Sequence, residues 1–131
     1  MSAPPPLILV VEDDADILEL SCDLLEGAGY TVAPARNGDE ALLLLATLTP
    51  ALILTDLMMP VMDGLEFVLR LRGRPELAMI PVVLITGSTD KLTEEMRGQF
   101  DRCLSKPISP PALLDLVSEL TTRARHAPLQ C

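Results

Sequence analysis

Three short apolar runs constrain this chain more than anything else in it: Leu7–Val11 (LILVV), Ala51–Thr55 (ALILT) and Pro81–Ile85 (PVVLI). Each is too short for a stable helix. The first and third are unbroken and the second nearly so, where a strand wetted on one face would alternate apolar with polar residues. Runs of this kind suit strands covered on both faces, the situation of a parallel sheet. A weaker run, Thr31–Ala35 (TVAPA), and a poor one near Arg102–Ser105 bring the strands to five.

Helical spacing fills the intervals. Ile17, Leu20 and Leu24 repeat at i, i+3, i+7, and that segment stops at Gly27–Gly29. Ala41–Ala46 follows Asn37, a good cap, with Glu40 three residues later in a box-like start. Asp63 and Glu66 stand in the same relation before Phe67–Leu71. Ser109 precedes Pro110 at a first turn, and Leu113, Leu116, Val117 and Leu120 then form one face. Strand and helix thus alternate five times. Such alternation requires right-handed crossovers and helices on both sheet faces. The expected fold is α/β, a flavodoxin-like (βα)5 doubly wound parallel sheet of order 2-1-3-4-5. One domain over residues 7–124 is expected, between a Pro-rich tail at 1–6 and a second tail at 125–131.

Composition removes several functions. The 131 residues carry 19 acids against 10 bases, a net charge of −9, which argues against direct nucleic-acid binding and against anionic membranes. No apolar run reaches spanning length, so no membrane insertion is expected. The Met-Ser-Ala-Pro-Pro-Pro start lacks the basic and apolar regions of a signal peptide, which points to a cytoplasmic protein. Cys22, Cys103 and Cys131 have no disulfide or zinc spacing. His126, the only histidine, is expected beyond the last helix, which removes the histidine-dependent hydrolases. Neither a P-loop nor a dinucleotide fingerprint is present.

Ligands of open α/β sheets bind beyond the carboxyl ends of the strands. There the first strand delivers Glu12-Asp13-Asp14, the third Asp56, the fourth Thr86-Gly87 and the fifth Lys106-Pro107. Crowded carboxylates repel unless a cation sits among them. Hard oxygen ligands of this kind select Mg²⁺ or a similar ion. With a spare carboxylate and an ammonium nearby, the set suits phosphoryl transfer, in which Asp can act as nucleophile. Taken singly, each residue has a plainer role; Asp14 before Ile17, for example, is well placed to cap a helix.

The strings VVEDD, ILTDLMMPVMDG (residues 53–64), ITG (85–87) and SKP (105–107) together resemble the receiver domain of response regulators, over about Leu7 to Arg123. The resemblance implies that Asp56 is the phosphorylated residue. It implies that Asp13 and Asp14 hold Mg²⁺ with Asp56 and the Met58 backbone carbonyl, that Thr86 is the switch hydroxyl, and that Lys106 contacts the phosphoryl group. A cis bond before Pro107 is also implied. The partners would be a sensor histidine kinase or a histidine phosphotransfer protein, and an unidentified downstream protein. Catalysis would be limited to the chain's own phosphoryl transfer and a slow autodephosphorylation. The other reading is a receiver-like interaction module that is not phosphorylated.

Two departures from the family pattern bear on output. Cys103 stands where the family carries an aromatic, and the segment from Thr86 to Lys106 is about two residues short, with Gln99-Phe100 before the fifth strand. A short, irregular fourth helix follows, and a thiol cannot act as a swinging ring. We expect structures with and without a beryllofluoride phosphate mimic to show no side-chain swing at residue 103. A swing at 103 coupled to Thr86 would contradict this.

Overall fold

Unbroken apolar strands need cover on both sides, and the observed architecture supplies it. The structure, a computed structural model, describes residues 4–87 and 89–126; Ser88, the first three residues and residues 127–131 with Cys131 lie outside the described residues. The elements run β1 (Leu7–Val11), α1 (Ala15–Gly27), β2 (Thr31–Ala35), α2 (Gly38–Leu44), β3 (Leu52–Thr55) and α3 (Gly64–Arg72). After these come β4 (Val82–Thr86), a 3₁₀ turn at Thr89–Lys91, α4 (Glu94–Arg97), β5 (Arg102–Ser105) and α5 (Pro110–His126). His126 is therefore the last residue of α5, not a residue beyond the helix as the sequence suggested. The strands form one parallel sheet of order β2-β1-β3-β4-β5, as expected.

Adjacent residues of one strand serve opposite cores. Leu9, Val11, Ile53, Val82 and Leu84 pack with Leu42, Phe67, Val68 and Leu71 on the α2–α3 side. Ile8, Val10, Leu54, Val83 and Ile85 pack with Leu18, Leu25, Leu113 and Val117 under α1 and α5. Because side chains alternate across a strand, a sheet buried on both faces requires an apolar residue at nearly every position. LILVV and PVVLI are written that way.

Caps fall where the pattern placed them. Asn37 accepts from the Glu40 N–H at 2.8 Å, and the Glu40 carboxylate accepts from the Arg36 N–H. Asp63 accepts from the Glu66 N–H at 2.8 Å. The fourth helix is a single four-residue turn, capped by Thr93. Phe100 of the altered lead-in is buried in the α2–α3 core.

The face of α1 differs from the expectation. Leu18, Ser21 and Leu25 are buried, whereas Leu20 is 50% exposed. This helix carries two apolar stripes about one residue apart, and its acids decide between them. Asp16, Glu19, Asp23 and Glu26 are all exposed and share one side. At 100° per residue, burying Leu18 and Leu25 turns that side further from the sheet than burying Leu20 and Leu24 would. Leu25→Ala is expected to cost about 2–5 kcal/mol in urea unfolding, and Leu20→Ala less than about 1 kcal/mol. Equal losses would contradict the observed rotation.

Candidate functional site

The parallel ladder does not stop where the strands do. Past the end of β1, the Glu12 N–H donates to the Ala35 carbonyl at 3.0 Å, and past β3 the Asp56 N–H donates to the Val11 carbonyl at 3.0 Å. Past β5, the Lys106 N–H donates to the Thr86 carbonyl at 2.9 Å. One further rung beyond each of β1, β3 and β5 thus fixes the backbones of Glu12, Asp56 and Lys106 against the neighbouring strand. The Lys106–Pro107 peptide is cis. Gly64 opens α3 directly against the same rim: its N–H donates to the Leu57 carbonyl at 2.8 Å, and a Cβ there would collide with the Asp56 carbonyl oxygen. Only glycine permits that approach.

Side chains from the ends of β1, β3 and β5 meet there. The Lys106 ammonium lies 2.9 Å from Glu12 Oε1 and 2.9 Å from Asp56 Oδ2, bridging the two carboxylates. Asp56 Oδ1 accepts from the Leu57 N–H at 2.7 Å, and Glu12 Oε2 from the Asp14 N–H at 3.1 Å. Glu12, Asp56 and Thr86 are buried, at 5%, 7% and 1% exposure. Carboxylate oxygens of Glu12, Asp13 and Asp56 all lie within 4.8 Å of one another. Three acids in that space face a single ammonium, an arrangement suited to a hard divalent cation.

The rim pair is therefore Glu12 and Asp13, one residue earlier than the Asp13 and Asp14 expected from the sequence. Asp14 does not join the cluster. Its Oδ1 accepts from the N–H groups of Asp16 and Ile17, at 3.0 and 3.1 Å, and caps α1. Glu12 is the residue that sequence reasoning missed, and the signal was available. An acid three residues before the apolar Ile17 at a helix start is a cap, which leaves the two residues directly after the strand for the rim. Asp13, Asp56, Thr86 and Lys106 all stand at the strand ends as expected. Met58, two residues past Asp56, is 57% exposed. In the same loop Val61 holds a φ of 72°, costly for a β-branched residue.

Burial pushes the Glu12 carboxyl above its ordinary 4.5, against the pull of its hydrogen bonds to Lys106 and the Asp14 N–H; the nearby Asp56 adds to the rise. Burial draws the Lys106 ammonium down, but its hydrogen bonds to Glu12 and Asp56 and their charges outweigh it, leaving the pKa above 10.5. The lysine's contribution to stability thus holds below pH 10.5 and is lost as pH rises through its raised value. For Glu12 the folded state takes up a proton more readily than the unfolded chain, so this group favours folding as pH falls towards 4.5.

Lys106→Met removes the one cation that the described residues place between Glu12 and Asp56. Without divalent ions it is expected to cost about 2 kcal/mol at neutral pH, less than a fully buried pair because the ammonium keeps some exposure. The deficit should shrink as pH falls towards 4.5, because Glu12 takes up its proton above that ordinary value. Urea unfolding at several pH values checks this; a deficit that grows on acidification would contradict it.

Comparison with known proteins agrees with this geometry. The family model described as "Response regulator receiver domain" matches residues 8–118. The polar-differentiation response regulator DivK of Brucella anthropi is 37% identical over 115 residues, 86% of this chain and 94% of that protein. The signal receiver domain of a signal transduction histidine kinase from Syntrophus aciditrophicus superposes with a TM-score of 0.80 at 33% identity, covering 89% of this chain and 90% of that one. The response regulator protein TrrA of Thermotoga maritima, solved in complex with Mg²⁺-BeF, gives a TM-score of 0.80 at 28% identity, over 88% and 98% of the two chains.

Proposed function

The chain belongs to the response regulator receiver domain family, and on that footing we propose that it is a Mg²⁺-dependent phosphoacceptor charged on Asp56. The observation that carries this reading is the lysine-bridged cluster of Glu12, Asp13 and Asp56 at the carboxyl ends of the strands. Glu12, Asp13 and Asp56, with the Met58 carbonyl, would hold the ion. When bound, Mg²⁺ supplies positive charge to the oxygens of the phosphoryl group in flight. The Mg²⁺-BeF complex of the Thermotoga relative supports that choice of metal.

The chain's own residues supply the rest. Asp56 Oδ2 attacks the phosphorus of a phosphohistidine; the new O–P bond forms as the N–P bond breaks, and the imidazole leaves with the electron pair. Lys106 then follows the charge from the Asp56 carboxylate to a phosphoryl oxygen, and Thr86 donates its hydroxyl to another. The backbone N–H of Leu57, already on Asp56 Oδ1, holds the carboxylate's rotation and leaves Oδ2 to Lys106. The donor would be a sensor histidine kinase or a histidine phosphotransfer protein. The kinase origin of the Syntrophus relative supports that class of partner. Signalling follows from the altered rim, through a changed docking surface for a downstream protein. Exposed, apolar Met58 has no group to orient an attacking water, so autodephosphorylation would be slow. The reading as an unphosphorylated interaction module gains no support from the site, since every acid the chemistry requires is at the rim.

Intact mass after incubation with acetyl phosphate and Mg²⁺ tests the proposal. A gain of one phosphoryl group is expected in the wild type, and none without Mg²⁺ or in Asp56→Asn. No gain in the wild type with acetyl phosphate and with a phosphorylated histidine donor would overturn it.

A further inference from the structure

Below the rim, on the α1–α5 side of the sheet, lies a cavity of about 10 Å³. Its walls include the apolar Val10, Leu54 and Ile85, and four residues with polar side chains: Glu12, Asp56, Ser21 and Thr55, whose hydroxyl already donates to the Asp56 carbonyl at 2.9 Å. Ser21 is only 3% exposed and sits on the buried face of α1 between Leu18 and Leu25. A buried hydroxyl on a helix ordinarily satisfies itself on the carbonyl one turn back. Thr121 of α5 does so, donating to the Val117 carbonyl at 2.8 Å. Ser21 makes no such bond to Ile17, nor a side-chain hydrogen bond to any other described residue. Side-chain polar atoms that are fully enclosed all have partners among the described residues, so the Ser21 oxygen is not enclosed in carbon. It opens on the cavity.

From these observations we infer that the cavity is a binding site for a single structural water, linking the Ser21 hydroxyl to the acidic rim from below. The space is of the size one water requires, about 10–15 Å³ on this measure, and such a site needs two to four polar partners. Ser21 donates its O–H to the water, and the water donates to carboxylate lone pairs. Those are available: each carboxylate has about four acceptor positions. Glu12 uses one for Lys106 and one for the Asp14 N–H, and Asp56 one for Lys106 and one for the Leu57 N–H. The water satisfies a hydroxyl that the helix leaves unpaired and braces Glu12 from the side opposite the solvent. The water lies below the rim, on the α1–α5 side of the sheet.

Crystals of the full chain diffracting to atomic resolution, as wild type and as Ser21→Ala, test this. The expected result is a fully occupied density peak within hydrogen-bonding distance of Ser21 Oγ and a carboxylate oxygen, lost in Ser21→Ala. Loss of one hydroxyl leaves the packing of α1 intact, so both proteins are expected to fold. A cavity without density in the wild type overturns the inference. So does a peak of equal occupancy in Ser21→Ala, which would show that Ser21 does not hold the water. Neither outcome bears on whether Asp56 accepts phosphate, so this inference and the proposed function fail separately.

Discussion

The bridge from Lys106 to Glu12 and Asp56 is the interaction on which the rest depends. Parallel strands ending side by side deliver their last side chains to one crevice, and here two of those side chains are buried carboxylates. Buried like charges drive one another apart or take up protons unless a cation stands between them. The Lys106 ammonium is such a cation, 2.9 Å from each acid. One positive charge does not balance Glu12, Asp13 and Asp56. The imbalance suits the rim to a divalent ion.

That arrangement is held by backbone more than by side chains. The single rungs beyond β1, β3 and β5 fix Glu12, Asp56 and Lys106 against neighbouring strands, and the two-sided core keeps those strands in register. Gly64 lets α3 start against the Asp56 carbonyl, which closes the rim on that side. Further away, Arg72 donates to the carbonyls of Ala78, Ile80 and Gln99 and to the Asp101 carboxylate. Asp101 in turn accepts from the Val82 N–H. This clamp ties α3 to the starts of β4 and β5, where the single-turn α4 gives little packing of its own.

Much of this was legible in the sequence, and the misses have physical causes. Doubly buried strands leave an unmistakable mark, so LILVV and PVVLI located the sheet, and the acids, hydroxyl and lysine after the strands located the rim. Asn37, Asp63 and Ser109 announced their helices because caps depend on local chemistry alone. The face of α1 was misread because its leucines fill two stripes, and only the sheet and the acidic side together choose one. The acidic pair was misread by one residue for a related reason. Glu12, Asp13 and Asp14 are chemically similar, and what separates them is that Asp14 spends its carboxylate on the first turn of α1. The cavity at Ser21 has no sequence signature, since it arises where α1 meets the sheet.

The region of Cys103 and α4 is where the sequence departs from the pattern that the family resemblance implies. Cys103 is half-buried against the α2–α3 core, and burial pushes its thiol above the ordinary value, so it stays protonated and apolar in character. A small side chain there stands beside a four-residue α4. Phosphoacceptance itself rests on the rim as a cation site. Calorimetric titration of the metal-free chain with Mg²⁺, beside Asp13→Asn and Asp14→Asn, tests this most directly. The account predicts saturable one-to-one binding that is lost or weakened at least tenfold in Asp13→Asn and kept in Asp14→Asn. Absence of binding to the wild type, or loss in Asp14→Asn with retention in Asp13→Asn, would contradict it.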